Sequence, residues 1–180
     1  MARTNPVPLA ESRATDLPVA KKAPAAGAPD DRPTVYLHPG HMHVAFGQYA
    51  VKTILGSCIA VCIWDDRAQA GGVVHYLLPE GQIIEGNTGK YGSLAIPALI
   101  KAVRALAGGE GRLRAKVFGG AGVLPSMGKH LNDLGDSNAR MAWKMLAADN
   151  VPVVAKDVGG TRGRRLIFNV DDGSAWVWRL

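Results

Sequence analysis

Apolar and polar positions along the chain follow two rhythms. Most are short β-rich runs broken by turn residues. Two longer stretches carry apolar residues at helical spacing. Thr34-Val35-Tyr36-Leu37 predicts a short strand, and His38-Pro39-Gly40 turns the chain. Val44-Ala45-Phe46 and Tyr49-Ala50-Val51 predict one or two more. Leu55 to Trp64 is an almost unbroken apolar run that opens on a Gly-Ser turn. A polar segment, Asp65 to Gln69, separates it from a second β-rich run, Ala70 to Leu78, which predicts an antiparallel hairpin. Pro79 ends that strand, and Glu80 to Gly89 reads as a Gly-rich loop bordering a site or the surface. From Ser93 to Ala107, residues Leu94, Ala98, Leu99, Ala102, Val103 and Leu106 share a helical face, and Gly108-Gly109 ends the helix. Leu113 to Phe118 predicts a strand, followed by the loop Gly119 to Gly122. Asp136 or Ser137 caps a second helix running to about Ala148. Val151 to Val158 predicts a strand, and Arg165 to Val170 with Ala175 to Arg179 a second hairpin around Asp171-Asp172-Gly173. This order predicts a mixed α/β or α+β fold with a mostly antiparallel sheet and two principal helices.

Composition narrows the setting. With 180 residues, 47% of them hydrophobic, the chain can bury one core, so one domain is expected over 33–180. Residues 1–32 are rich in Ala and Pro without periodicity and read as a disordered tail. The formal net charge is +6, with a small cluster at Arg162, Arg164 and Arg165. Basic residues are not interleaved with aromatics, which argues against nucleic acid; a positive surface also suits an acidic protein partner. No apolar run approaches the ~20 residues of a membrane helix, and no secretory h-region is expected at the N-terminus. The reading is a cytoplasmic protein, taken as a monomer.

The chain has two cysteines, Cys58 and Cys62, four residues apart in the central run. On one strand their Cα atoms would be about 13 Å apart, too far for a disulfide, so both are expected as free thiols. The midpoint between Cys58 and His75 falls inside the polar turn. In a hairpin such residues face each other on one side of the sheet, to within a register step. A cysteine beside a histidine can act as a thiolate nucleophile on a carbonyl. Cys62 lies deeper and reads as core. The bland reading of the pair is a buried thiol opposite a satisfied histidine. His38, His41 and His43 lack a matching Cys, Asp or Glu cluster, so turn and surface histidines are favoured over a metal site. Gly119 to Gly122 is neither a P-loop nor a dinucleotide fingerprint; a close backbone approach to the sheet or substrate suits it better.

Several segments carry a resemblance: Leu55-Gly56-Ser57-Cys58 with Ala60-Val61-Cys62, Gly72 to His75 with Leu78-Pro79, Lys90-Tyr91-Gly92, Lys116 to Ala121, and Asp157 to Arg164. Together they resemble the chemoreceptor glutamine deamidase family, CheD, over about Val35 to Leu180. The resemblance implies a three-layer α/β fold, and hydrolysis of glutamine side chains on methyl-accepting chemotaxis receptors to glutamate and ammonia. It implies Cys58 as nucleophile, His75 as general base and acid, and a threonine shortly before the cysteine. Thr53 is the nearest threonine; an ungapped match falls on Lys52, and Ser57 is another polar neighbour. The implied chemistry needs no cofactor or metal. A chemotaxis phosphatase of the CheC type is an implied partner. A regulatory binding module with little catalysis is the alternative, and a thiol protease or esterase a third.

Overall fold

The computed structural model describes residues 32–82, 88–109, 111–122 and 129–180, with the side chains of 129–133 excepted. Residues 1–31 of the expected 1–32 tail and the middle of the Glu80–Gly89 loop lie outside the described residues, while Arg32 belongs to the fold and pairs with Asp171. The strands are β1 (Thr34–Tyr36), β2 (His41–Phe46), β3 (Ala50–Leu55), β4 (Ile59–Asp65), β5 (Ala70–Tyr76), β6 (Arg114–Gly119), β7 (Val153–Val158), β8 (Arg164–Asn169) and β9 (Ala175–Arg179). The helices are α1 (Gly92–Leu106) and α2 (Lys129–Ala148), with a short 3-10 turn at Thr88–Lys90.

The strands form two sheets, one in the order β2-β5-β4-β6-β7 and the other β1-β3-β8-β9. Pairing is antiparallel except for β1 with β3 and β6 with β7, so the mostly antiparallel expectation holds. The five-stranded sheet is the middle of three layers. The helices cover one face, where Ile59, Val61, Ile63 and Val74 meet Ile96, Leu99 and Leu146. The four-stranded sheet covers the other, where Ala60, Cys62, Trp64 and Val73 meet Val51, Leu55, Leu166 and Phe168. This explains the unbroken apolar run of the central stretch. Every residue of β4 is buried, because both of its faces are covered. On β3, Val51, Thr53 and Leu55 are buried while Lys52 is half-buried and Ile54 exposed, because only one face is covered.

Two boundaries moved. Leu55 ends β3 instead of opening the central strand, and Gly56 to Cys58 form the bend between two sheets. The second helix begins at Lys129, well before the cap expected at Asp136 or Ser137. Gly135 within it weighs against a helix on propensity alone. Its place is set by packing: a Cβ at 135 would lie 2.4 Å from the Gly120 carbonyl oxygen, so only glycine lets α2 approach the loop after β6. Among the described residues no helix is long and apolar enough to cross a membrane.

Candidate active site

The hairpin of β4 and β5 forms as expected, with its pairing displaced by two residues, which keeps the faces unchanged. His75 stands opposite Ala60, which makes Cys58 its diagonal neighbour on the same face. The displacement follows from the turn. The Asp65 carboxylate accepts bonds from the Arg67 and Ala68 amides, and Gln69 takes a left-handed backbone (φ 51°), which centres the turn one residue later. The pair still meets: His75 Nε2 lies 2.8 Å from Cys58 Sγ.

The other imidazole nitrogen reaches the second sheet. Thr53 Oγ1 lies 2.9 Å from His75 Nδ1 and donates to the Leu37 carbonyl at 2.8 Å. A carbonyl only accepts, so the single hydroxyl proton of Thr53 is committed to Leu37. Nδ1 must then carry the imidazole proton and donate it to Thr53. That leaves Nε2 with a free lone pair facing the thiol, the tautomer a general base needs. The structure thus brings Cys58, His75 and Thr53 into one chain of contacts. Lys52, the neighbour of Thr53 on β3, projects to the opposite side of the strand. Ser57 contributes its backbone carbonyl, which accepts a bond from Asn138. Cys62 is buried in the layer between the sheets, as expected of a core thiol.

Burial divides the roles. His75 and Thr53 are buried, and only Cys58 is partly open to solvent. Burial pushes the His75 imidazolium down to about 4, opposed in part by the Leu37 carbonyl. Burial raises the Cys58 thiol, opposed by the Gly56 and Cys58 amides. Both shifts favour a neutral thiol beside a neutral imidazole at pH 7, not a standing ion pair.

The loop that carries Cys58 is held from behind. Ala121 N–H donates to the Gly56 carbonyl, Asn138 Nδ2 to the Ser57 carbonyl and Gly120 N–H to the Cys58 carbonyl, at 2.7, 3.0 and 2.8 Å. Gly119 has a left-handed φ of 114°, and a Cβ there would sit 2.2 Å from the Cys58 carbonyl oxygen. The close approach expected of the Gly119–Gly122 loop is therefore an approach to the Cys58 backbone. Arg164 braces the same end of the second sheet. It is fully buried opposite Leu55 and bonds the Asp157 carboxylate and the Gly159 carbonyl. Sequence reasoning placed Arg164 in a surface charge cluster and passed over Asn138. For Asn138 a signal existed: it stands four residues before Ala142 and so shares a helical face with an apolar residue, and asparagine is a poor helix former.

Shape alone points elsewhere. A cleft of about 580 Å³ lined by Arg67, Arg104, Arg112 and Arg114 lies by the β4–β5 turn, at the other end of the strand from Cys58. No group of three or more His, Cys, Asp or Glu side chains that could hold a metal occurs among the described residues.

Comparison with known proteins bears on this geometry. Residues 77–179 match the family model described as CheD chemotactic sensory transduction. That match begins just after His75, so longer relatives decide whether the site segment is included. A protein of Anaeromyxobacter dehalogenans (strain 2CP-C) named "Probable chemoreceptor glutamine deamidase CheD 1" is 42% identical over 172 residues, covering 94% of this chain and 99% of the relative. The chain belongs to the CheD family. Two further proteins named "Probable chemoreceptor glutamine deamidase CheD" are similar. The one from Trichlorobacter lovleyi is 40% identical over 80% of this chain and 89% of its own length; that from Bordetella petrii is 39% identical over 82% and 67%. The CheD resemblance carried by the sequence motifs therefore holds over nearly the whole chain.

Proposed function

We infer that this CheD-family chain is a protein-glutamine deamidase that hydrolyses glutamine side chains of chemoreceptors to glutamate, with release of ammonia. The supporting observation is the run of contacts from the Leu37 carbonyl through Thr53 and His75 to a half-open Cys58 thiol. We assign Cys58 as the nucleophile, His75 as base and acid, and Thr53 as the residue that orients His75.

In the first half-reaction the Sγ proton passes to His75 Nε2 as sulfur attacks the glutamine Cδ. A tetrahedral oxyanion forms. The imidazolium then gives its proton to the departing nitrogen, the C–N bond breaks, and ammonia leaves a thioester on Cys58. In the second half, His75 takes a proton from water, the hydroxyl adds to the thioester carbon, and the C–S bond breaks. The thiolate recovers its proton from His75 and the product is glutamate. Because burial disfavours an isolated imidazolium, proton transfer and sulfur attack are coupled. The positive charge exists only beside a thiolate or oxyanion. A threonine hydroxyl backed by a carbonyl orients the ring through Nδ1–H without adding the permanent charge of a carboxylate.

Residues 33–180 act on this reading as one catalytic unit, in the cytoplasm, as a monomer and with no cofactor. A phosphatase of the CheC type is a fitting regulatory partner. The test is incubation with a receptor cytoplasmic fragment, following ammonia and a mass gain of about 1 Da per converted glutamine. Cys58→Ala is expected to lower the rate at least ~10³-fold with folding unchanged. Conversion that persists in Cys58→Ala overturns the assignment. No conversion by the wild type favours a regulatory binding role.

A further inference from the structure

Asn138 is fully buried at the inner face of α2, and its side-chain amide spans two segments of the site. Nδ2 donates to the Ser57 carbonyl at 3.0 Å and to the Leu77 carbonyl at 2.9 Å. Ser57 directly precedes the nucleophile, and Leu77 follows the strand that carries His75. The Tyr76 hydroxyl donates to the backbone carbonyl of Asn138, fixing the helix turn from which the amide projects. Oδ1 has no hydrogen-bond partner although it is buried. A buried amide with an unsatisfied oxygen is costly, so the position is held for its donor half.

The Ser57–Cys58 peptide is trans, as every described peptide bond is. In a trans peptide the C=O and the following N–H point in opposite directions. Holding the Ser57 carbonyl inward toward α2 therefore turns the Cys58 N–H outward, toward the side of its own thiol. The Gly56 and Cys58 amides do act on Sγ, opposing the rise that burial imposes. Among the described turn and loop hydrogen bonds no carbonyl accepts from the Cys58 N–H, so beside Sγ it can also meet a ligand.

We propose that Asn138 is a positioning residue for the reaction. By clamping the Ser57 carbonyl it aims the Cys58 N–H at the oxyanion of the tetrahedral intermediate, and by bonding Leu77 it fixes that donor relative to His75. An oxyanion donor acts in the transition state more than on bound substrate. Asn138 should thus control kcat far more than KM. The inference rests on Cys58 being the nucleophile.

The test compares Asn138→Asp, which keeps the shape but replaces the donor with an acceptor, with Leu146→Ala, which opens a hole lower on α2. All are assayed well below their unfolding midpoints. Asn138→Asp is expected to lower kcat about 10- to 100-fold with KM within about twofold, a partial loss of what one oxyanion donor supplies. The pH midpoint for alkylation of the Cys58 thiol should rise. Leu146→Ala should lose thermal stability with kcat and alkylation unchanged. Asn138→Leu, which removes the donor without adding charge, serves the same comparison if aspartate at 138 does not fold. Wild-type kcat and wild-type thiol titration in the Asn138 variants, with only a lower midpoint, overturn the proposal. Activity surviving in Cys58→Ala instead overturns the nucleophile assignment, and the alkylation profile still reports on the clamp because it needs no substrate.

Discussion

The two faces of the five-stranded sheet bury similar amounts of β4 and β5 but hold different chemistry. The helix-covered face is mainly apolar: Ile59, Val61, Ile63 and Val74 meet helix side chains, and its buried polar residue, Asn138, stands where α2 passes the loop that carries Cys58. The face toward the second sheet is also mainly apolar, yet it buries Thr53, His75 and Arg164 near Cys58. Burying a polar group without a partner costs free energy, so such groups persist only where each finds one. Thr53 and His75 find each other, and Arg164 finds Asp157. One face is built for stability. The other gives up some apolar contact to hold an imidazole at low dielectric beside an accessible thiol.

The sharpest way to break this contrast is at His75. His75→Gln should lower deamidation by about 10²- to 10⁴-fold, the range of a lost general base, measured by ammonia release. The same residue makes a stability prediction. Its folded pKa of about 4 lies below the unfolded value near 6.5, so the unfolded chain binds the extra proton between these values. The associated stability is present above pH 6.5 and is lost as pH falls to 4, by up to about 3 kcal/mol. Denaturant titrations across this window should show a flatter slope in His75→Gln; an unchanged slope would place the acid sensitivity elsewhere.

Leu99→Ala probes the opposite face. Leu99 is fully buried under the helix layer, and its truncation should cost about 2–5 kcal/mol in chemical unfolding. Its kcat, taken where the variant is folded, should stay within about twofold. A catalytic loss matching that of His75→Gln would erase the distinction between the faces.

Thr53→Val keeps the shape but removes the hydroxyl that links His75 Nδ1–H to the Leu37 carbonyl. About a tenfold fall in kcat is expected, roughly 1.4 kcal/mol in the barrier. Thr53→Ser should recover most of it. Equal loss in both variants would point to packing by the threonine methyl. The smallest effect concerns the second thiol. Burial raises the Cys62 thiol far out of the reactive range, so limiting iodoacetamide should label Cys58 alone, read by peptide mass. Early labelling of Cys62 would mean that the layer between the sheets opens.

The chain itself determined the elements and much of the chemistry. The β4–β5 and β8–β9 hairpins, the first helix and the meeting of Cys58 with His75 follow from periodicity and turn residues, which act over short chain distances. The motifs carried the family. What they could not settle was anything joining segments distant in sequence. Thr53 competed with Lys52 and Ser57 until β3 of one sheet was laid across β5 of the other, because only the facing of two sheets decides which side of β3 meets the imidazole. Arg164 looked like surface charge until Asp157 met it, and Asn138 looked like an ordinary helix residue until α2 was set against the loop that carries Cys58. Local pattern names an element, but not always its buried face: of the stripe read on α1, Leu99 and Val103 are buried while Leu106 is exposed, and Ala95, Ile96 and Ile100 fill the core instead. Which polar groups survive burial depends on partners that only tertiary packing brings.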